Sequence, residues 1–332
     1  MLKENNELNV LSVLIVGCGD IAGIFDKGRE SADHPYTHAG AYMRDSRFKI
    51  TACVEPDKDR RTDFMRNWNI QFGFASIDEM LNLDYQFDVI SVCSPVISHL
   101  YDVETALLLN PKLIFCEKPI TPSLPDTERL IAACKAANTM IAVNHTRRWD
   151  PSISELQTKM LSGQMGKLRS IIGLYNKGIL NNGSHMLDLL HFLIGPMKVI
   201  CVGRPTNDYF SDDPTVPVWL EDERETPIHI ACAHAEDYSA FELQFIFSLG
   251  VLVMEEGGMH WRERLPVHSS TFKGYQKLDD GVKSIGGYSQ SMLKAVDNIY
   301  RAIAEGDTLA SNGDSALLAQ RVCEKIRQLA HT

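Results

Sequence analysis

Short apolar runs alternate with longer mixed stretches through the first 150 residues of the chain. The apolar runs have the composition of strands buried on both faces, and the mixed stretches have the apolar spacing of helices. Strands are predicted at Val10–Val16, Lys49–Val54, Phe87–Cys93, Leu113–Cys116 and Met140–Val143, and helices near His38–Arg44, Asp59–Trp68, Ile77–Leu83, His99–Leu109 and Leu124–Ala137. This alternation predicts a doubly wound parallel sheet of the α/β class, whose ligands bind at the carboxyl ends of the strands.

The pattern changes after Pro151, where strict alternation of apolar and polar residues indicates strands with only one covered face. The clearest such strand is Ala240–Phe247, and its apolar face carries Phe241, Leu243, Phe245 and Phe247. The other predicted elements are helices at Ile153–Leu161, Ser184–Ile194, Ser289–Ala304 and Ala316–Leu329, strands at Leu168–Tyr175 and Val251–Glu255, and a long loop at Gly203–Glu225. We therefore expect two domains: a parallel α/β domain over residues 1–146, and an α+β domain with an open, antiparallel-rich sheet over residues 147–332.

The first predicted strand runs directly into a glycine-rich turn, in the sequence VLIVGCGDIA at Val13–Ala22. In a Gly-x-Gly-x-x-Ala turn, the first glycine, Gly17, allows the tight turn, and the second, Gly19, lets the backbone approach a pyrophosphate. The next residues, Asp20 and Ile21, are expected to open a helix whose N–H groups and dipole favour phosphate. The turn therefore predicts a Rossmann domain that binds a dinucleotide.

Glu55 ends the second predicted strand, at the position where an acidic residue binds the ribose hydroxyls of NAD and disfavours the 2′-phosphate of NADP. We therefore expect NAD in preference to NADP, with Arg60 and Arg61 close enough to offset part of that charge. Glu55 also lies further beyond Gly17 than is usual in such domains. The excess falls in residues 23–37, which are interpreted either as a loop lying over the cofactor or as a tolerated surface insertion.

Composition and charge restrict the classes of partner. The chain has 332 residues, a hydrophobic fraction of 44% and a formal net charge of −10, without a basic run of the kind that binds nucleic acid. Its apolar runs fall short of the roughly 20 residues of a membrane span, and the polar start of the sequence lacks the apolar core of a signal peptide. We therefore expect a cytoplasmic protein with no nucleic-acid or membrane partner, and its eight cysteines are expected to be reduced and buried.

Lys118 is the first candidate for chemistry, because it follows the strand predicted at Leu113–Cys116. A lysine at the carboxyl end of a strand can hydrogen-bond a substrate hydroxyl, and burial can lower its pKa enough for proton transfer. The alternative is an exposed Glu–Lys pair at the start of a loop. Ser94 and Pro95 end the preceding strand and His99 opens the next helix, so they are candidates for the same crevice, although His99 is equally consistent with a structural role.

A second candidate cluster lies in the segment NNGSHMLDLLH. With Ser184 as a helix cap, His185 and Asp188 lie one turn apart on one helix face, and His185 suits proton transfer near neutral pH. The spacing of His185, Asp188 and His191 also fits one side of a metal site. No water-activating motif such as HExxH accompanies them, so we expect no metal.

In this order, the segments VGCGDIAG, SIDEML, DVISVCSP, FCEKPIT, NHTRRWDP and NGSHMLDLLHFLIG resemble the Gfo/Idh/MocA oxidoreductases. The resemblance covers nearly the whole chain. It implies a Rossmann domain followed by an α/β domain whose open sheet commonly forms the oligomer interface, and it implies a homodimer or homotetramer. It also implies hydride transfer between a nicotinamide cofactor and a carbon of a sugar, cyclitol or related small molecule.

The resemblance assigns roles to single positions. It implies that Lys118 is the active-site lysine, His185 the catalytic histidine, Asp188 a substrate contact and Arg148 a residue of the cleft. Asn181 stands where many members have an aspartate, and an amide cannot support the histidine as a carboxylate does, so we expect it to contact substrate instead. The expected cofactor-binding set is Gly17, Gly19, Asp20, Ile21, Glu55, Ser94, Pro95, His99, Glu117 and Lys118.

The expected function is an NAD(P)-dependent oxidoreductase acting on a sugar or sugar derivative. The segment Gly178–His185 resembles relatives that handle nucleotide-linked sugars for surface-glycan synthesis, and Arg147, Arg148 and Lys177 could supply positive charge for such a substrate. The alternatives are a cyclitol or polyol dehydrogenase, an enzyme that retains NAD through a transient oxidation, and a non-catalytic dinucleotide-binding regulator.

Overall fold

A computed structural model describes residues 10–29 and 33–330, which fold into two compact units. The first unit ends at Thr146 and also contains Gln290–Asp314, whereas the second comprises Arg147–Ser289 and the chain from Ser315 onward. Residues 290–314 thus pack with the first unit, whereas the sequence pattern predicts them in the second domain. None of the helices in the described ranges is both long enough and apolar enough to cross a membrane.

The first unit is built on a parallel sheet. Among the described residues, six strands form this sheet in the order β3-β2-β1-β4-β5-β6, which is the Rossmann order. The strands are β1 (Leu11–Val16), β2 (Phe48–Val54), β3 (Phe72–Phe74), β4 (Val89–Val92), β5 (Leu113–Cys116) and β6 (Met140–Val143). All neighbouring pairs are parallel. The predicted doubly wound sheet is confirmed, and β3 is a short edge strand that the sequence pattern did not predict.

Helices cover this sheet: α1 (His38–Met43), α2 (Lys58–Trp68), α3 (His99–Leu107), α4 (Leu124–Ala136) and α7 (Ser291–Glu305). Asp57 caps α2 by accepting a hydrogen bond from the Arg60 N–H at 2.8 Å, which is the expected role of an aspartate there. The helix predicted at residues 77–83 is instead a short 3-10 helix, Ile77–Met80.

Helix α7 explains why residues 290–314 belong to the first unit. Its buried face includes Val296, Ile299 and Tyr300, and the Tyr300 ring packs edge-on against Phe48 at 6.0 Å. Arg47 at the start of β2 binds Asp297 of α7 at 2.8 Å. These contacts join residues far apart along the chain, and an amphipathic pattern does not identify the surface that a helix covers.

The second unit is built on a mixed, mostly antiparallel sheet with strand order β16-β13-β12-β11-β7-β10-β9-β8. Its strands are β7 (Leu168–Tyr175), β8 (Met197–Val202), β9 (Val218–Asp222), β10 (Pro227–Cys232), β11 (Phe241–Phe247), β12 (Gly250–Glu255), β13 (His260–Arg264) and β16 (Val282–Ile285), with a separate hairpin of β14 (Pro266–His268) and β15 (Gln276–Leu278). Its helices are α5 (Pro151–Leu161), α6 (Ser184–Ile194) and α8 (Gly313–Ala330). The predicted α+β architecture with an open sheet is therefore confirmed.

Among the described residues, the helices of this unit pack on one face of the sheet. The apolar face of β11 lies in a core with Ile153 of α5, Met186 of α6 and Ile326 of α8. The four β11 residues predicted to share a face, Phe241, Leu243, Phe245 and Phe247, are all buried in that core. The helices therefore cover the apolar face of β11 within the unit, and the exposed side chains of Ile172 and Trp219 lie on the other face of the sheet.

Candidate functional site

The two glycines of the glycine-rich turn have different physical reasons to be glycine. Gly17 has a φ of +86°, and a Cβ there would lie 2.5 Å from the Ser94 backbone nitrogen. The fold itself therefore requires glycine at this position. Gly19 has no positive φ, and a Cβ there would meet no atom within 4 Å. The space beside Gly19 is open, so packing within the described chain does not demand a glycine there.

Backbone donors are also available at this turn. Among the described residues, no protein acceptor pairs with the N–H groups of Gly19, Asp20 and Ile21. The carbonyls of Gly19 and Asp20 accept bonds from Gly23 at 3.2 Å and Phe25 at 3.1 Å, which shapes residues 19–25 into a helical turn. N–H groups at the start of such a turn suit a phosphate, because unpaired backbone donors seek an anionic acceptor.

The predicted helix does not continue directly from the turn. The chain forms a short 3-10 helix at Ile24–Asp26 and returns at α1, where His38 N–H donates to Ile21 O at 3.2 Å. The insertion therefore lies between the glycine turn and α1, as the sequence predicts. Because α1 has only six residues and begins after the insertion, the donors at the turn come from residues 19–21 rather than from a long helix.

Glu55 lies beside the glycine turn, immediately after β2, and is 5% exposed. Its carboxylate accepts hydrogen bonds from the N–H groups of Cys18 and Asp57, both at 3.1 Å, and lies 3.6 Å from the Arg60 guanidinium. Arg61 donates to the Glu55 carbonyl. Glu55 is thus fixed next to the predicted pyrophosphate site, with part of its hydrogen-bonding capacity used by the protein.

Ser94 and His99 lie near the turn, but their side chains bond to protein. The Ser94 hydroxyl donates to Asp102 of α3 at 2.5 Å, and burial raises the pKa of Asp102 despite this bond. His99 is 1% exposed, with ring nitrogens 2.9 Å from Ser94 O and 3.1 Å from Pro119 O. The side chains of Ser94 and His99 therefore stabilise the loops at this sheet edge, and their contact with the cofactor stays a prediction. Pro95 is exposed at the start of the next turn.

Glu117, also expected at the cofactor, has its carboxylate in a polar network at the carboxyl ends of β5 and β6. Its Oε1 accepts from Asn144 Nδ2 at 2.6 Å and lies 3.0 Å from His38 Nε2. Burial alone would raise the pKa of Glu117, but the hydrogen bonds from His38 and Asn144 hold that pKa below its usual value. Lys118 follows directly and is partly buried, and its peptide bond to Pro119 is cis.

In the second unit, Asn181 and His185 lie on a continuous helical segment. A π-helical turn, Gly178–Gly183, runs directly into α6, so Ser184 is not the predicted N-cap. The capping group is instead Asp213, whose carboxylate oxygens accept from the N–H groups of Leu180 at 2.9 Å and Asn181 at 2.8 Å. Burial raises the pKa of Asp213 and these two bonds partly oppose it.

The amide of Asn181 is also used within this turn, because Nδ2 donates to Lys177 O at 3.0 Å. Sequence reasoning missed Asp213, which lies in the loop predicted at Gly203–Glu225. An aspartate there is unremarkable until the fold brings it to the helix start.

Asp188 and Arg148 form a buried ion pair rather than two separate ligands. Arg148 Nε donates to Asp188 Oδ2 at 2.8 Å, with side chains 6% and 2% exposed, and the guanidinium lies 4.9 Å from the Phe192 ring centre. Asp188 Oδ1 accepts no hydrogen bond from the described residues. Burial and the nearby Arg148 lower the pKa of His191.

The Arg147 side chain also contacts other residues of the second unit. Its Nε donates to Gly257 O at 3.0 Å, and its guanidinium lies between the Phe241 and Tyr288 rings, at 3.7 and 5.0 Å from their centres. Arg147, one of the three cations that could supply charge for an acidic substrate, therefore already has a backbone carbonyl and two aromatic rings as partners. Within the described ranges, no group of three or more His, Cys, Asp or Glu side chains is arranged to hold a metal.

Residues 11–145 match the model of the oxidoreductase family with an NAD-binding Rossmann fold, GFO_IDH_MocA. The matched residues all lie in the first unit. The match spans β1 to β6 and so includes the glycine turn, Glu55 and Lys118.

Curated relatives are similar over part of their length. An uncharacterised oxidoreductase of Bacillus subtilis, YrbE, is 27% identical over 146 residues, covering 44% of this chain and 41% of the relative. The D-apiose dehydrogenase of Paraburkholderia graminis is 22% identical over 56% of this chain and 54% of its own. The myo-inositol 2-dehydrogenase of Thermotoga maritima is 25% identical over 36% of this chain and 35% of its own. The chain thus spans about half or less of these relatives.

Solved structures share the fold over almost the full length. An Agrobacterium radiobacter oxidoreductase, solved with NAD+, L-tartaric acid and magnesium, has a TM-score of 0.76 at 16% identity and covers 97% of each chain. The 3-ketoreductase KijD10 of Actinomadura kijaniata, solved with NADP, has a TM-score of 0.76 at 16% identity, covering 97% of this chain and 98% of its own. Both units of the present chain therefore have the folds seen in these two solved structures.

Proposed function

We propose that this chain is an NAD(P)-dependent oxidoreductase that transfers a hydride between nicotinamide and a carbon of a sugar or cyclitol. The observation that carries the proposal is the glycine turn, where Gly19 faces open space and three consecutive N–H groups have no acceptor among the described residues. Glu55, fixed beside that turn, suits the ribose hydroxyls. The family model that the first unit matches agrees with this assignment.

Lys118 is proposed as the residue that exchanges a proton with the reacting hydroxyl. It stands at the carboxyl edge of the parallel sheet, where Rossmann domains bind ligands, beside the Glu117 carboxylate. When bound, the nicotinamide supplies or accepts the hydride, and Lys118 moves the proton that must accompany it. His185 is proposed as a second proton-transfer group, because a histidine can donate or accept near neutral pH.

Asp188 and Asn181 are proposed to bind substrate hydroxyls. Asp188 Oδ1 is a buried carboxylate oxygen that accepts no hydrogen bond from the described residues, so a hydroxyl would satisfy it. Arg148 holds the other oxygen and fixes the orientation of the carboxylate. A neutral polyhydroxylated substrate suits this pairing, since the charge of Arg148 is already compensated.

A nucleotide-linked sugar is the second candidate. In its favour, a structural neighbour is a 3-ketoreductase solved with TDP-benzene and NADP, and Asn181 offers an uncharged hydrogen-bonding group. Against it, Arg147 already donates to the Gly257 carbonyl and Arg148 pairs with Asp188, both inside the second unit. Of the three predicted cations, only Lys177 remains as a source of positive charge, with its Nζ 5.3 Å from the Tyr209 ring centre.

The test is cofactor reduction at 340 nm with a panel of inositols, free sugars and nucleotide-linked sugars. Turnover of inositols or free sugars supports the proposal, and turnover restricted to nucleotide-linked sugars supports the second candidate. A tightly retained cofactor that never exchanges would indicate catalysis by transient oxidation. Binding of NAD without turnover of any panel member would indicate a regulator and contradict the proposal.

A further inference from the structure

The 23–37 insertion is clamped at its base by one buried carboxylate. Asp26 is 4% exposed, and its Oδ2 accepts from Tyr36 N at 2.9 Å, Thr37 N at 2.8 Å and Thr37 Oγ1 at 2.7 Å. Thr37 in turn caps α1, with Gly40 N donating to its Oγ1 at 3.0 Å. The clamp therefore fixes the start of α1, whose first residue is His38.

His38 connects this clamp to the loop that carries Lys118. Its ring is fully buried, with Nε2 at 3.0 Å from Glu117 Oε1 and Nδ1 at 3.3 Å from Ser91 Oγ. Tyr42, one turn later on α1, places its hydroxyl 2.9 Å from the same Ser91 oxygen. An ionised Glu117 only accepts, so His38 donates to it from Nε2, and in the neutral ring Nδ1 then accepts from Ser91, whose oxygen accepts from Tyr42. Every bond then has one consistent direction.

We propose that His38 is a positioning residue: it holds the Glu117 carboxylate next to Lys118, and the clamped insertion serves to place His38. This inference rests on the proposed role of Lys118 in proton transfer. It assigns a function to the insertion that neither interpretation from the sequence contained. A buried network of hydrogen bonds is a suitable support for a group that must be held in a fixed direction.

The network also predicts a pH effect. The described titratable groups that interact with Glu117 include His38 of α1, Cys93 after β4, and Cys116 and Lys118 on either side of it. Tyr42 of α1 bonds to Ser91, which holds the other side of the His38 ring. His38 lowers the pKa of Glu117 against the effect of burial. Removing that donor therefore raises the pKa of Glu117, and the loss of activity on acidification should begin at a higher pH.

The experiment compares His38→Phe, which removes both ring nitrogens, with His38→Gln, which keeps an N–H donor. We expect His38→Phe to lower kcat by about tenfold or more and to leave the Kd for NAD within about threefold. The acidic limb of its pH–activity profile should move to higher pH. His38→Gln should restore most of both effects. His34→Gln, on the exposed part of the insertion, is the matched control. Equal losses in both His38 variants, or an unchanged pH profile, would overturn the proposal.

A second readout does not depend on turnover. Acetylation of Lys118 by acetic anhydride, followed by mass spectrometry across pH, reports the charge beside that lysine. We expect the pH midpoint of Lys118 acetylation to fall in His38→Phe, because the Glu117 carboxylate is no longer held beside the lysine. The midpoint should stay at the wild-type value in His38→Gln and His34→Gln. An unchanged midpoint in a folded His38→Phe protein would overturn the proposal even if no substrate is found.

If His38→Phe does not fold, Ser91→Ala replaces it, because it removes only the hydroxyl that holds His38 Nδ1. We then expect the Lys118 midpoint to move in the same direction by a smaller amount. A midpoint equal to that of the wild type would refute the positioning role. An inactive wild-type protein with the expected midpoint shift would count against the proposed function alone.

Discussion

Lys118 and Lys112 lie at opposite ends of β5 and provide a matched pair of substitutions. Lys112 is largely exposed and pairs with Asp88 at 2.8 Å at the amino edge of the sheet. We expect Lys118→Ala to lower kcat by about 100-fold or more, because it removes the proposed proton-transfer group, with the Kd for NAD within a few-fold. Lys112→Ala should keep both values. Steady-state kinetics and cofactor titration decide this, and near-normal turnover in Lys118→Ala would disprove the assignment.

Glu55 predicts the choice between the two cofactors. Its buried carboxylate next to the glycine turn disfavours a 2′-phosphate, so NAD should bind more tightly than NADP. Glu55→Gln keeps an acceptor for the Cys18 N–H but removes the charge and releases Arg60. We expect the Kd for NADP, divided by the Kd for NAD, to fall by about tenfold.

Asp59→Asn, on the exposed start of α2, is the control for this charge change, and it should leave the ratio of the two Kd values unchanged. Fluorescence titration with both cofactors measures that ratio. Tighter binding of NADP by the wild-type protein would contradict the prediction.

Sequence position identified which residues stand at the ends of strands, but not which polar atoms are already satisfied. Gly17, Glu55 and Lys118 are found at the predicted edge of the sheet. Ser94 and His99 are also near that edge, yet Asp102 and backbone carbonyls use their side chains. Such partners come from other elements and leave no signal at the residue itself.

The Asp213 carboxylate stabilises the helical segment that leads into α6, by accepting two backbone hydrogen bonds. Asp213→Ala leaves the N–H groups of Leu180 and Asn181 without their acceptor, so the free energy of unfolding should fall by about 1–3 kcal/mol. Hydrogen exchange in residues 178–185 should rise with it. Asp212→Ala changes an exposed neighbour and serves as control. Thermal unfolding and exchange mass spectrometry measure both effects, and equal behaviour of the two variants would refute this role.

Whole elements were predictable where periodicity is strong. The buried strands of the first unit and the alternating strand β11 lie at or close to their predicted positions. The edge strand β3 has only three residues, too few for a pattern. The π-helical turn at Gly178–Gly183 depends on the Asp213 cap, which comes from a distant loop. Periodicity also does not reveal that α7 returns to the first unit.

For the whole molecule, the uncovered face of the second sheet predicts self-association. Strand register aligns Gln244, Ile172, His229 and Trp219 in one row across four strands. Ile172 is 43% and Trp219 38% exposed. Exposed apolar side chains on an open sheet are a liability in water unless a second copy covers them. We therefore expect a homodimer or homotetramer formed through this face.

Light scattering after gel filtration measures this directly. The wild-type protein should have at least twice the 37.2 kDa of one chain, and Ile172→Glu should reduce the mass to that of the monomer. Leu161→Glu places the same charge on an exposed leucine at the end of α5 and should leave the mass unchanged. A monomeric wild-type protein would contradict the prediction.

Calorimetric titration of NAD into the wild-type, Gly19→Val and Gly17→Ala proteins tests whether the glycine turn binds a dinucleotide. In Gly19→Val the new side chain enters space that is open in the protein, so stability should be retained. The Kd for NAD should nevertheless rise by about 30-fold or more, because the backbone can no longer approach the pyrophosphate. Gly17→Ala should instead lower the unfolding temperature, because its φ and its contact with Ser94 exclude a side chain. Wild-type affinity for NAD in Gly19→Val, or no binding of NAD to the wild-type protein, would contradict dinucleotide binding at the glycine turn.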